Sequence, residues 1–139
     1  MREEIIEAKK DLENLGFEVS TLVYPYYAWN DKVVDYSITA NYTCARAGWT
    51  QAGVYNLSTD DPRARYHVTA WQISSQNMSR FKFIVGKAGG NSVVCLVYHF
   101  ISDIGPETTS TPLANFLEQM AYLKNAGFTV IPLPDLFRQ

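Results

Sequence analysis

Histidine and cysteine are scarce in this chain, with two of each among 139 residues. His67 and His99 form no His-x-x-x-His or His-Glu-x-x-His pair, so a conventional histidine-rich metal site cannot be assembled from them. Cys44 and Cys95 lie in apolar surroundings without Cys-x-x-Cys spacing. That pattern argues against zinc or redox chemistry and for buried thiols, with a disulfide between them as the alternative. No apolar run approaches the roughly 20 residues of a membrane-spanning helix. Nor is there a basic cluster. Twelve Lys+Arg against fourteen Asp+Glu give a net charge of -2, and the phosphate-neutralising footprint of a nucleic-acid binder is missing. Met1-Arg2-Glu3-Glu4 opens directly into an amphipathic pattern. It lacks the apolar segment of about 7–15 residues that marks a signal peptide, so the expectation is a soluble chain that is not exported. The glycine signatures of dinucleotide sites, P-loops and nucleophile elbows are also absent.

What is present is a globular composition: 47% hydrophobic and 19% charged residues, at the length of one ordinary domain, 1–139. Aromatics reach 14%, with nine Tyr, seven Phe and three Trp. Such an excess fits either a large aromatic core or a surface that stacks on flat or sugar-like ligands, and composition does not choose.

Ile5, Ala8, Leu12 and Leu15 follow helical spacing, with Gly16 as the stop, predicting a helix over 3–15. Residues 17–24 are β-branched and aromatic and read as a strand ending at Pro25. Asn30 caps a helix over roughly 31–40, and 42–47 is a short strand. A loop-rich stretch over 48–64 holds a short strand at 54–57 and the Asp60-Asp61-Pro62 turn. Residues 66–73 are a strand candidate. Met78, Phe81, Ile84, Val85 and Ala88 mark a helix face, Gly86 to Gly90 its stop, and 92–98 a strand apolar on both faces and therefore central. Thr111 and Pro112 open a helix with Leu113, Phe116, Leu117, Met120 and Leu123 inward. Gly127 ends it, and 128–133 is a last strand. The alternation implies an α/β fold, a mostly parallel sheet with covering helices, open or curled into part of a barrel.

Reactive groups of such folds gather at the carboxyl ends of strands. There this chain places Pro25, Tyr26, Tyr27, Trp29 and Asn30, then Gly48 and Trp49, then Ser74 and Ser75, then His99 through Asp103. His99 follows the strand read as buried, where an imidazole can serve as general acid or base, the alternative being a structural histidine. His67, inside a strand candidate, reads as structural.

The segment Leu22-Val23-Tyr24-Pro25-Tyr26-Tyr27-Ala28-Trp29-Asn30 resembles the Tyr-Pro-Tyr-Gly-Ala-x-Asn motif of polysaccharide deacetylases of the NodB-homology type. Tyr42-Thr43-Cys44-Ala45-Arg46 follows it in the same order. Val94-Cys95-Leu96-Val97-Tyr98-His99 is similar to that family's last motif, a buried strand ending in a catalytic His, and Phe116 through Leu136 to the end of the domain. The resemblance implies a partial (β/α) barrel that removes N- or O-acetyl groups from a carbohydrate polymer. It implies His99 as general acid, the Tyr26 backbone N–H toward the oxyanion, Val97 in the acetate pocket, and Pro25, Tyr27, Trp29 and Trp49 in substrate contacts.

The departures carry equal weight. The family's Thr-Phe-Asp-Asp-Gly and His-x-x-x-His, which supply the base and the ligands of a divalent metal such as zinc, are absent. Val23 stands where many members have Arg, and Tyr27 replaces the motif's Gly. The expectation is therefore the C-terminal half of such a domain, with no cofactor of its own. It would be inactive alone, since a general acid by itself contributes about 10²–10⁴-fold. A full barrel of this type exceeds roughly 200 residues. The unpaired edges of an incomplete one favour a homodimer or docking with the missing half. The alternatives are a non-catalytic carbohydrate- or partner-binding α/β module and an unrelated open α/β domain.

Overall fold

The computed structural model describes residues 1–48, 54–75 and 77–138. It divides into two compact units, the first from Met1–Gly48, Thr59–Thr69 and Pro132–Gln139, the second from Trp49–Ser58 and Ala70–Ile131.

The first unit opens with a π-helical turn, Glu3–Glu7, that runs into α1 (Ala8–Asn14). Gly16, at φ +90°, ends the helix as expected. Its buried residues are Ile5, Ile6 and Lys9, while Leu12 and Leu15 are exposed. The expected stripe is corrected on this point: the π turn changes the angular spacing, so the apolar series does not stay on one face. Lys9 tolerates burial because its ammonium donates to the Asn41 carbonyl at 2.8 Å, pairs with Glu13 at 3.4 Å and lies over the Tyr42 ring.

β1 (Thr21–Val23) pairs in parallel with β2 (Cys44–Arg46), and α2 (Asp31–Thr39) connects them. Asn30 caps α2, its Oδ1 accepting from Val33 N at 3.0 Å. Arg46 in turn bridges Val68 in parallel. The core beneath holds Ile5, Tyr24, Val33, Val34, Tyr42, Ala45, Ala47 and Tyr66. Its tyrosines satisfy their hydroxyls on backbone carbonyls: Tyr24 donates to Tyr66 at 3.0 Å, Tyr66 to Tyr42 at 2.9 Å and Tyr42 to Ile5 at 3.3 Å. Each such bond contributes about 1 kcal/mol. Part of the aromatic excess is thus core.

In the second unit β3 (Val54–Asn56) pairs antiparallel with β5 (Ser92–Val94), β4 (Trp71–Ile73) parallel with β6 (Leu96–Tyr98), and β7 (Phe100–Ile101) parallel with β8 (Ser110–Thr111). α3 (Met78–Val85) and α4 (Leu113–Asn125) supply Phe81, Ile84, Val85 and Leu123 to a core completed by Trp71 and Ile73. Burying each of these side chains is worth about 1.5–3 kcal/mol. Thr111 Oγ1 lies 3.3 Å from the Ile73 carbonyl and 3.2 Å from that of Ser74, joining the start of α4 to the end of β4.

The mixed α/β class stands, with short parallel and antiparallel pairs and no closed barrel among the described residues. Several boundaries differ from expectation. Residues 66–73 are not one strand: a 3-10 turn, Ala64–Tyr66, precedes the single bridge at Val68, and only β4 pairs further. The stretch 92–98 is divided at Cys95 into β5 and β6, half-buried throughout, so it is not buried on both faces. Residues 128–133 form no strand. No described neighbour pairs with them, Pro132 removes a donor, and Pro132 caps a 3-10 turn, Leu133–Phe137. Pro112, not Thr111, is the cap of α4, and Asp103 Oδ1 accepts from Leu113 N at 3.1 Å. Leu113 and Leu117 are exposed, while Gln119 is fully buried, its Oε1 accepting from the Tyr98 hydroxyl at 2.7 Å. The inward face of α4 therefore includes Gln119 with Leu123 and Met120, in place of Leu113 and Leu117. Cys44 is buried and Cys95 half-buried, and no disulfide joins them, so that alternative is not realised. No helix among the described residues is long and apolar enough to cross a membrane.

Candidate functional site: an aromatic rim at the ends of two parallel strands

Beyond β1 the backbone leaves the sheet in one tight turn. Tyr24 is buried and donates its N–H to the Arg46 carbonyl at 3.3 Å, which fixes the start of the turn against β2. Pro25–Tyr27 then forms a 3-10 turn closed by Tyr27 N to the Tyr24 carbonyl at 3.1 Å and Ala28 N to the Pro25 carbonyl at 3.0 Å. Tyr26 and Tyr27 both sit in the left-handed region, at φ 52° and 61°. Non-glycine residues rarely adopt that region, and strain of this kind persists where the surrounding structure holds it.

The consequence of the turn is to present rings. The Tyr26 side chain is 98% exposed. Tyr27 packs against Gly48, close enough that a methyl group at Gly48 would overlap Tyr27 Cβ and Cγ. The same ring receives the Arg46 guanidinium, whose carbon is 5.2 Å from the ring centroid. Trp29, partly exposed, stacks on His67 with centroids 4.1 Å apart and planes 25° from parallel. Arg46 Nη1 and His67 Nε2 are buried without a hydrogen-bond partner among the described residues. Burial pushes the His67 imidazole below the usual histidine range. Asp61 opposes that shift, Arg63 adds to it and Asp31 opposes it. His67 is consequently neutral near pH 7, and the positive charge of the rim is that of Arg46.

Of the residues named from the sequence, Pro25, Tyr26, Tyr27 and Trp29 come together here. Val97 lies half-buried on β6, opposite Gln72 in register, and His99 is exposed in the bend between β6 and β7; both belong to the second unit. Trp49 lies outside the described residues. Gly48 stands among the strand-end residues read from the sequence, whereas Arg46 and His67 are additions of the structure. Arg46 carried a signal, since it ends an apolar strand on the same rim, but His67 becomes a rim residue only because Trp29 folds onto it.

No family model, curated protein or solved structure gives a significant match to the chain. The chemistry of the rim is therefore argued from its residues. Exposed rings flanking a fixed cation make a surface for a ligand with apolar faces and polar edges, the description of a sugar ring.

Proposed function

We propose that the protein is a polysaccharide deacetylase-like α/β protein of the NodB-homology type, binding an acetylated sugar polymer along the rim of Pro25, Tyr26, Tyr27 and Trp29. The observation that carries this is the backbone at Tyr27. The resemblance places the motif's glycine at this position, and the φ of 61° found here is one that glycine adopts without strain. The turn thus keeps the geometry that a Tyr-Pro-Tyr-Gly segment would favour even though the residue has changed.

In this reading the rim orients the sugar and the Tyr26 N–H faces the developing oxyanion, while for the second unit the resemblance implies an acetyl contact for Val97 and a proton-donor role for His99. A divalent metal, held in that family by an Asp and two His, would supply polarisation of the acetyl carbonyl and activation of water. Among the described residues no group of three or more His, Cys, Asp or Glu could hold such an ion, so these residues do not fit it. That observation favours a second reading, a non-catalytic carbohydrate-binding module. Calorimetric titration with penta-N-acetylchitopentaose, combined with an acetate-release assay on the same sugar in the presence of zinc, separates the two. Binding that weakens in Trp29→Ala supports the rim. Acetate release lost in His99→Ala supports the enzyme, binding without release supports the module, and no binding refutes both.

A further inference from the structure

A neutral sugar leaves one feature of the rim unexplained. Arg46 carries a permanent charge, yet its Nη1 is buried without a hydrogen-bond partner, and no carboxylate among the described residues pairs with it. Other arginines of the same unit are provided for: Arg63 meets Asp35 at 2.9 Å, and Arg138 meets Glu18 and, at 3.2 Å, Asp135. A buried donor of a charged group left unpaired is costly, and this guanidinium lies over the Tyr27 ring, its carbon 5.2 Å from the centroid. His67 Nε2 is a second buried nitrogen without a partner, its ring fixed by Trp29. Tyr27 and Trp29 belong to one short segment, so both orphan nitrogens are flanked by the rings read above as sugar contacts.

We propose that the rim recognises a carboxylate-bearing sugar, a uronic-acid unit of a glycan, with Arg46 taking the carboxylate and His67 completing the contact. The inference rests on the sugar-binding reading and narrows its substrate class. A hydroxyl could satisfy the Nη1 hydrogen but not the charge. The planar fork of a carboxylate matches the guanidinium edge on both counts.

A matched pair of probes tests this: a β-1,4-linked glucuronic acid tetramer and cellotetraose, which differ only at C6. The expected result is that the glucuronate binds about tenfold more tightly or better, the difference between a charge-assisted hydrogen bond and a neutral one. Raising the salt concentration should shrink that preference. Arg46→Gln should abolish it, so that glucuronate binds no better than cellotetraose, and Arg46→Lys should keep part of it, because charge remains but the fork is lost. Circular dichroism melting checks that each variant folds, and the salt dependence of the native chain decides the matter if Arg46→Gln does not. Equal affinity for both tetramers, with Trp29→Ala weakening both, would overturn this inference and leave sugar binding standing. Binding of neither would overturn this inference, and the titration with the acetylated chito-oligosaccharide then decides the sugar-binding reading separately. A preference that persists in Arg46→Gln, or free acetate competing as well as glucuronic acid monosaccharide, would also overturn it, the latter by showing a carboxylate site indifferent to sugar.

Discussion

Tyr26 offers a clean measurement of what the rim costs the fold. Its ring is 98% exposed and its backbone sits at φ 52°, ψ 20°, so removing the side chain sacrifices almost no packing. The left-handed conformation costs an L-residue roughly 1–2 kcal/mol. Glycine escapes that cost but loses about 0.5–1 kcal/mol through its greater freedom in the unfolded chain. The net expectation for Tyr26→Gly is a stabilisation of about 0.5–1 kcal/mol, or about 2–4 °C in Tm for a chain of this length. Tyr26→Ala is the control, because it removes the ring yet keeps the Cβ that makes the conformation unfavourable. It should remain within about 0.5 kcal/mol of the native chain. Urea unfolding followed by circular dichroism compares the three proteins, and penta-N-acetylchitopentaose titration of the same samples should show weaker binding for both variants. If Tyr26→Gly is no more stable than Tyr26→Ala, the strain argument fails. If it is more stable and binds the sugar as well as the native chain, the exposed ring has no part in recognition and the link between strain and function fails.

Three further outcomes follow from the same geometry. Gly48→Ala should destabilise the first unit by about 1–3 kcal/mol, because the new methyl overlaps the rigid base of the Tyr27 side chain. It should weaken sugar binding too, and unchanged urea midpoints would show that Tyr27 can move aside freely. His67 has a folded pKa depressed by burial, so the unfolded state binds its proton more readily. The stability this contributes is fully present above the unfolded value of about 6.5 and is lost as the pH falls through the folded value. Thermal unfolding of the native chain should therefore worsen on acidification below about pH 6.5 more than that of His67→Gln, and parallel pH profiles would refute the assignment. Phe81→Ala, in a fully buried site of the second core, should cost about 3–5 kcal/mol in urea unfolding. A loss below about 1 kcal/mol would mean that Phe81 is not an anchor of that core.

The parts legible in the sequence were those set by local chemistry. Asn30 caps α2 and Gly16 ends the first helix in the left-handed region. Phe81, Ile84 and Val85 bury the face that their spacing indicated. Strand extents were not legible, because pairing depends on partners distant in the chain. Val68 finds Arg46 for one bridge only, and Val130 and Ile131 find no described partner and remain exposed. In α4, Gln119 took a buried place that apolar periodicity would have denied it, held by its bond to Tyr98. The site divides in the same way. The run from Pro25 to Trp29 could be found from its position past a strand. Arg46 offered only its place at a strand end and His67 offered nothing, since their part depends on which rings fold onto them.

The central claim, that the rim beyond β1 and β2 binds sugar, is tested most directly by amide chemical-shift mapping of the isotope-labelled chain during titration with penta-N-acetylchitopentaose. Saturable shifts centred on residues 24–29 are expected, with Arg46, Gly48 and His67 following the same binding curve. No shifts at saturating sugar, or shifts confined to residues remote from that turn such as those of α3, would contradict it.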